Sequence, residues 1–222
     1  MARRGLLVVL VGAGMLLGGC MQATLSPVTD AHFSARDKKL LAAAPYAKVT
    51  VPQPYQRHIV TYQRKEQPGT IVVDTDHRFL YYVLPHGKAI RYGVAVGQQG
   101  MDWSGVARVG RMTEWPSWTP TAGEIARLNV PTYVGPGPQN PMGARAMYLF
   151  QGNKDTLFRI HGTNQPEYIG QAISSGCIRM TNEDVIDLYK HVKLGTVVVV
   201  LKAHKGYSPF AVASRGGAGP GL

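Results

Sequence analysis

At 222 residues, with 45% hydrophobic and 17% charged side chains, the chain is long and apolar enough for one buried core, which excludes a disordered polymer. Lysine and arginine number 24 against 13 acidic residues, a net charge of +11 that favours anionic partners. The two cysteines, Cys20 and Cys177, are too few for a disulfide framework or a cysteine-based zinc site, and no metal or other cofactor is expected.

Residues 1–20 read as an export segment. Arg3 and Arg4 precede an apolar stretch at residues 6–17, which at 12 residues falls short of the roughly 20 that a spanning helix needs. A signal peptide therefore fits better than a transmembrane anchor. Leu17-Gly18-Gly19-Cys20 resembles a lipobox, in which Cys20 becomes an acylated mature N-terminus; cleavage after Ala23, with Cys20 discarded, is the alternative. Either way Cys177 is left without an intramolecular partner in an oxidising compartment, where an idle thiol is a liability. Export also excludes nucleic acid and leaves anionic lipid and cell-wall carboxylates as partners for the basic charge. Residues 21–67, interrupted by Pro27, Pro45, Pro52 and Pro54, read as a linker lifting the following domain off a membrane, with a short helix at residues 35–44.

Residues 70–74, 79–84 and 89–96 are β-branched or aromatic runs separated by polar turns, the pattern of an antiparallel meander. His77 and His86 fall in those turns. Residues 97–145 show little periodicity and read as a long irregular lid or binding loop, with a short helix at 121–128. Trp103, Trp115 and Trp118 in this stretch either pack a flank of the core or line a groove. Residues 146–150 and 157–160 then form a hairpin that presents His161 just past a strand end. After Cys177, Thr181 and Asp184 make a capping-box-like helix start. Val185, Leu188 and Val192 follow at helical spacing, His191 sits at the helix terminus, and Gly195 stops the helix. Residues 196–201 read as a buried closing strand and 204–222 as a flexible tail.

The chemistry concentrates at His161-Gly162-Thr163 and at Ser174-Ser175-Gly176-Cys177-Ile178-Arg179-Met180. A free thiol has a pKa of about 8.5 and needs help to attack a carbonyl near neutral pH. An imidazole gives that help by taking the thiol proton and passing it to a leaving amine. This pairing leads one to expect a Cys177 thiolate that is alkylated fast near neutral pH, and slower once His161 is removed. Gly176 permits a tight turn in which the amides of Gly176 and Cys177 face a developing oxyanion. The bland alternative, a buried apolar cysteine and a satisfied strand-end histidine, does not account for the flanking residues.

Those residues resemble the signature of the bacterial L,D-transpeptidase catalytic domain (YkuD-type). The similarity extends from Asn140-Pro141-Met142-Gly143 to Val197-Val198-Val199-Val200 and covers roughly residues 68–203. Where many members carry a histidine, this chain has Ser175, which offers a hydroxyl instead. The resemblance implies a mainly β fold with short helices, a β-sandwich-type catalytic domain with a helix after the cysteine. It implies a Cys177 nucleophile, a His161 base oriented by a backbone carbonyl rather than by an acid, and a peptidoglycan stem tetrapeptide as substrate. Cleavage between the diamino acid at position three and terminal D-Ala would leave a thioester on Cys177. A neighbouring stem amine, or a lysine of an outer-membrane protein, would then resolve it. Arg179, Ser175, Gly162 and Thr163 are the candidates for substrate binding. Tyr133 and Tyr148 are both conceivable as a further oxyanion donor. The alternatives are an L,D-carboxypeptidase or amidase on the same substrate, and a non-catalytic peptidoglycan-binding lipoprotein. The expected location is the periplasm, on a lipid anchor at Cys20 and on the outer rather than the inner membrane.

Overall fold

The computed structural model describes residues 23–24, 33–46, 49–97, 103–174 and 176–203. The export segment with Cys20, the tail at 204–222 and Ser175 lie outside the described residues. Among those described, no helix is long and apolar enough to cross a membrane.

The expected meander is present as β3 (Ile71–Asp74), β4 (Phe79–Leu84) and β5 (Lys88–Gly93), all antiparallel. Side chains alternate between the faces of a strand, and the burial follows that period of two. Ile71, Val73, Leu80, Ile90 and Tyr92 enter the main core, whereas Val72, Val83 and Ala89 enter a smaller cluster on the other face with Tyr62. The closing strand β12 (Val197–Val200) lies parallel to β3 and antiparallel to β7 (Gly105–Glu114), joining the meander to the other half of the sheet. Its uninterrupted valines suit a strand buried on both faces: Val198 and Val200 enter the main core and Val199 packs on the smaller cluster.

Beyond β7 the sheet continues through β8 (Arg145–Gln151), β9 (Lys154–His161) and β11 (Ile178–Arg179). On the opposite edge, β2 (His58–Thr61) pairs with β5, and β1 (Ala23–Thr24) pairs with β2, completing a ten-stranded sheet. β6 (Val96–Gly97) and β10 (Ala172–Ser174) form a separate parallel pair. Three short helices accompany the strands: α1 (Ala35–Ala42), α2 (Ala122–Leu128) and α3 (Asn182–His191). The Thr181 hydroxyl accepts from the Asp184 amide at 3.1 Å to start α3 as expected. The helix ends at His191, however, and Gly195, at φ 85°, instead makes the turn into β12.

Two expectations are corrected. The irregular insertion expected at 97–145 contains the ten-residue β7, which lies between β12 and β8. Its alternation is interrupted where the register shifts between Val109 and Arg111, so the strand period is hidden in the sequence. Gly110 sits at that shift because a side chain there would run into the Phe150 ring.

The described part of the expected linker is folded onto the domain. β2 belongs to the main sheet, and α1 is fastened by a single aspartate. Asp37, 2% exposed, accepts from Arg145 Nη1 at 3.0 Å and Nη2 at 2.8 Å, and from Trp115 Nε1 at 2.8 Å. The capping box with Ser34 holds the same carboxylate from the helix side. Burial alone would raise the Asp37 carboxyl, but the hydrogen bonds from Arg145, Ser34 and Trp115 outweigh it and hold it at about 2.

Removing one member of a buried pair strands the other charge, at about 3–5 kcal/mol. Asp37→Ala is therefore expected to lower the unfolding free energy by roughly that amount in urea titration. Because the folded carboxyl lies below its ordinary 3.8, the stabilisation is present above that pH and is lost as pH falls towards 2. A variant as stable as wild type at pH 7 would show that the clamp carries no load.

Candidate active site

Pleat and register assemble the site on the face of β8 and β9 that turns away from the main core. Met147, Leu149 and Ile160 face the core, while Ala146, Tyr148, Arg159 and His161 alternate with them on the other side. Cross-strand pairing then lines up two rows: Thr113, Ala146, His161 and Arg179 in one, and Arg111, Tyr148 and Arg159 in the other. β11 runs parallel to β9 with Ile178 opposite Ile160, which sets Cys177 level with Arg159, one step along from His161. Cys177, a half-buried residue in no disulfide, and His161 line one cavity of about 700 Å³ together with Arg179, Trp118 and Met142.

His161 is held by backbone. Its Nδ1 lies 2.6 Å from the Gly162 carbonyl. A carbonyl oxygen only accepts, so Nδ1 carries the proton and Nε2 keeps the basic lone pair. The carbonyl is placed by close packing. A side chain on Gly162 or Gly143 would collide with Asn182 Oδ1. That oxygen accepts from the Ala144 amide at 2.8 Å, while Asn182 Nδ2 donates to the Thr163 carbonyl at 3.1 Å and to the Tyr46 hydroxyl at 2.6 Å. One buried amide at the first position of α3 thus ties the histidine loop to the 140s loop and to the N-terminal segment.

Burial pushes the His161 imidazole down to about 4; the Arg179 and Arg159 charges act in the same direction, against the Gly162 and Met142 carbonyls. Burial likewise pushes the Cys177 thiol up, against the pull of Arg159 and Arg179. Both directions oppose a standing thiolate–imidazolium pair, because a buried ion pair is disfavoured unless other groups compensate the lost hydration. A thiol and an imidazole in this arrangement suit general-base catalysis, in which the proton moves as the sulfur attacks.

The other sequence candidates are divided between chemistry and scaffold. Arg179 lines the cavity beside His161. Gly176, buried at φ 125°, adopts a backbone that favours glycine immediately before Cys177 and faces the Phe158 ring. Gly162 supplies the carbonyl that holds His161. Thr163 is buried, with its hydroxyl accepting from the Gln165 amide at 3.0 Å, and does not line the cavity. Of the three tryptophans, Trp118 lines the cavity, Trp115 is buried against Asp37, and Trp103 stacks on Phe158 at 4.8 Å. Tyr148 lines the cavity, whereas Tyr133 is exposed and does not. Asn182, Arg111 and Arg159 were not singled out from sequence. Asn182 sits immediately after a helix cap, where asparagine is unremarkable. Asn140, within the quoted Asn140-Pro141-Met142-Gly143, shapes the facing loop by donating to the carbonyls of Pro116, Val134 and Gly135.

The family model for the L,D-transpeptidase catalytic domain (YkuD) matches residues 68–200. This chain belongs to the L,D-transpeptidase family. It is 35% identical over 176 residues to the probable L,D-transpeptidase ErfK/SrfK of Escherichia coli K12, covering 73% of this chain and 54% of that protein. It is 36% identical to a putative L,D-transpeptidase of Fuscovulum blasticum, covering 59% of this chain and 68% of that one. A solved Brucella melitensis chain described as a probable carnitine operon oxidoreductase is 49% identical, covering 71% of this chain and 99% of its own length, with a TM-score of 0.47. This L,D-transpeptidase-family chain spans about half the length of the Escherichia coli relatives it matches, 54% of ErfK/SrfK and 43% of YbiS.

The lowered imidazole of this family member has a measurable consequence. Between about pH 6.5 and 4 the unfolded chain binds a proton at His161 that the folded chain refuses, so stability falls as pH drops through that window. Asp184, raised to about 7 by burial, acts with the opposite sign and is common to both proteins in a comparison. The difference between His161→Gln and wild type should thus flatten the acid-side loss by about 3 kcal/mol, read from urea unfolding at pH 4 and 7. Parallel pH profiles would show that the imidazole is not buried neutral.

Proposed function

We propose that this chain is a cysteine L,D-transpeptidase acting on peptidoglycan stem peptides. The observation that carries the reading is that Cys177, immediately before β11, and His161, at the end of the neighbouring β9, line one cavity, with the imidazole Nδ1 held by the Gly162 carbonyl.

Cys177 Sγ attacks the carbonyl between the diamino acid at position three and terminal D-Ala, and its proton passes to His161 Nε2. The tetrahedral oxyanion is taken by the Gly176 and Cys177 amides, and the imidazolium returns the proton to the departing D-Ala nitrogen. A thioester remains on Cys177. An acceptor amine then attacks it while His161 removes the amine proton, and collapse restores the thiol and forms the new amide. Because burial opposes a standing thiolate, sulfur and nitrogen share the proton only when a carbonyl is in place. Arg179 next to His161 suits the D-Ala carboxylate through its planar fork. The acceptor is a neighbouring stem amine or an outer-membrane protein lysine, and Cys20 is the lipid-bearing residue of a periplasmic, membrane-anchored form.

Incubation with a purified stem tetrapeptide and an acceptor amine is expected to release D-Ala and give a product whose mass is that of donor plus acceptor less D-Ala. Cys177→Ala should abolish release, and His161→Ala should slow it by about 10²–10⁴-fold. Release with water as the only acceptor would convert the assignment to an L,D-carboxypeptidase. Retention of activity in Cys177→Ala would end the thioester mechanism.

A carbapenem should add covalently to Cys177 and to no other residue, read by intact mass and peptide mapping. Alkylation of the free enzyme by iodoacetamide should be slow at pH 7 and accelerate above the ordinary thiol range, because burial raises the thiol. An unchanged mass after carbapenem exposure would count against the nucleophile.

A further inference from the structure

The cavity carries more positive charge than the catalytic pair needs. Among the described residues that line it, Arg111, Arg159 and Arg179 are cationic and Glu124 alone is anionic. Glu124 is already engaged at the start of α2, accepting from the Thr121 amide at 2.8 Å and hydroxyl at 2.9 Å.

The three arginines are differently committed. Arg179 stands beside His161, close to the scissile bond. Arg159 is clamped by Asp155, donating through Nη1 at 2.6 Å and Nη2 at 2.9 Å. Arg111, opposite Tyr148 on the neighbouring strand, places its Cζ 3.5 Å from the Tyr148 ring centroid, and Arg159 comes within 4.6 Å of the same ring from the other neighbouring strand. At 3.5 Å the Arg111 guanidinium carbon rests over the face of the ring, a placement that cation–π attraction favours. Among the described residues Arg111 enters no salt bridge. Stacking also fixes an otherwise flexible side chain, so little rotamer freedom remains to be lost on binding.

Resting on the acyl-donor reading above, we propose that Arg111 is a specificity-determining residue. It reads a carboxylate on the part of the donor peptide that stays on the enzyme as the thioester, as distinct from the terminal carboxylate that departs with D-Ala. Its place in the row supports this. Tyr148 lies one strand beyond Arg159, and strands are about 4.8 Å apart, so the Arg111 head group stands roughly 10 Å from the Cys177 strand. That is the reach of two to three extended residues from the scissile carbonyl. The substrate class is therefore a stem peptide whose internal carboxylate is free rather than amidated.

The test uses two donor tetrapeptides identical except that the internal carboxylate is free in one and a carboxamide in the other. D-Ala release is measured for wild type, Arg111→Ala and Arg111→Gln, with thermal unfolding to confirm that both variants are folded. Wild type is expected to prefer the free acid by about tenfold or more in kcat/KM, mainly through KM, the usual size of a charge-assisted hydrogen bond. Both variants should bring that ratio close to one, with kcat on the free acid little changed. Equal use of the two donors by wild type, or a preference that survives in both variants, overturns the role of Arg111 and leaves the transpeptidase reading intact. Release from neither donor, with no acyl-enzyme on Cys177, overturns the donor reading itself and this assignment with it.

Discussion

Two residue pairs of parallel sheet, Ile178 with Ile160 and Arg179 with His161, hold the site together. Parallel strands need a crossover between them, and here the crossover is residues 162–177, which end at Cys177. The pairing sets the sulfur level with Arg159 and beside His161. A slip of one residue would turn Arg179 into the core and Ile178 into the cavity. The burial of Ile178 and Met180 in the main core opposes that slip, so packing on one face fixes chemistry on the other.

The same economy governs the proton. Among the described residues no acid orients His161; a main-chain carbonyl does so, and the two glycines beside it are packed against Asn182. A neutral orienting group leaves the imidazole a weak base while the cavity is empty, and two nearby arginines weaken it further. The same arginines lower the thiol as well, there against burial, so their charge favours loss of a proton at both groups. On the proposed mechanism the proton moves once a bound carbonyl supplies an oxygen on which negative charge can settle.

Much of this was legible in the sequence where local signals were strong. Alternating runs gave the meander, the β8–β9 hairpin placed His161 at a strand end, and the Thr181–Asp184 start of α3 is present. The missed parts depend on distance. β7 was hidden because a register shift at Gly110 breaks its period, and the need for glycine there comes from Phe150, 40 positions away. Asp37 resembles any polar residue of an amphipathic helix until Arg145 and Trp115 arrive from elsewhere in the chain. Arg111 and Arg159 carry no local signal, since only the pairing of three strands places them around one ring.

β1 closes one edge of the sheet, with Ala23 and Thr24 paired to Ile59 and His58. Two residues, Met21 and Gln22, separate Cys20 from that edge, so the two Cα positions span at most roughly 10 Å. On the proposed reading, in which Cys20 bears the lipid, so short a tether would berth the domain flush with the headgroups instead of letting it roam on a leash. The proposed substrate would then be within range only where it lies about a protein's width from the bilayer.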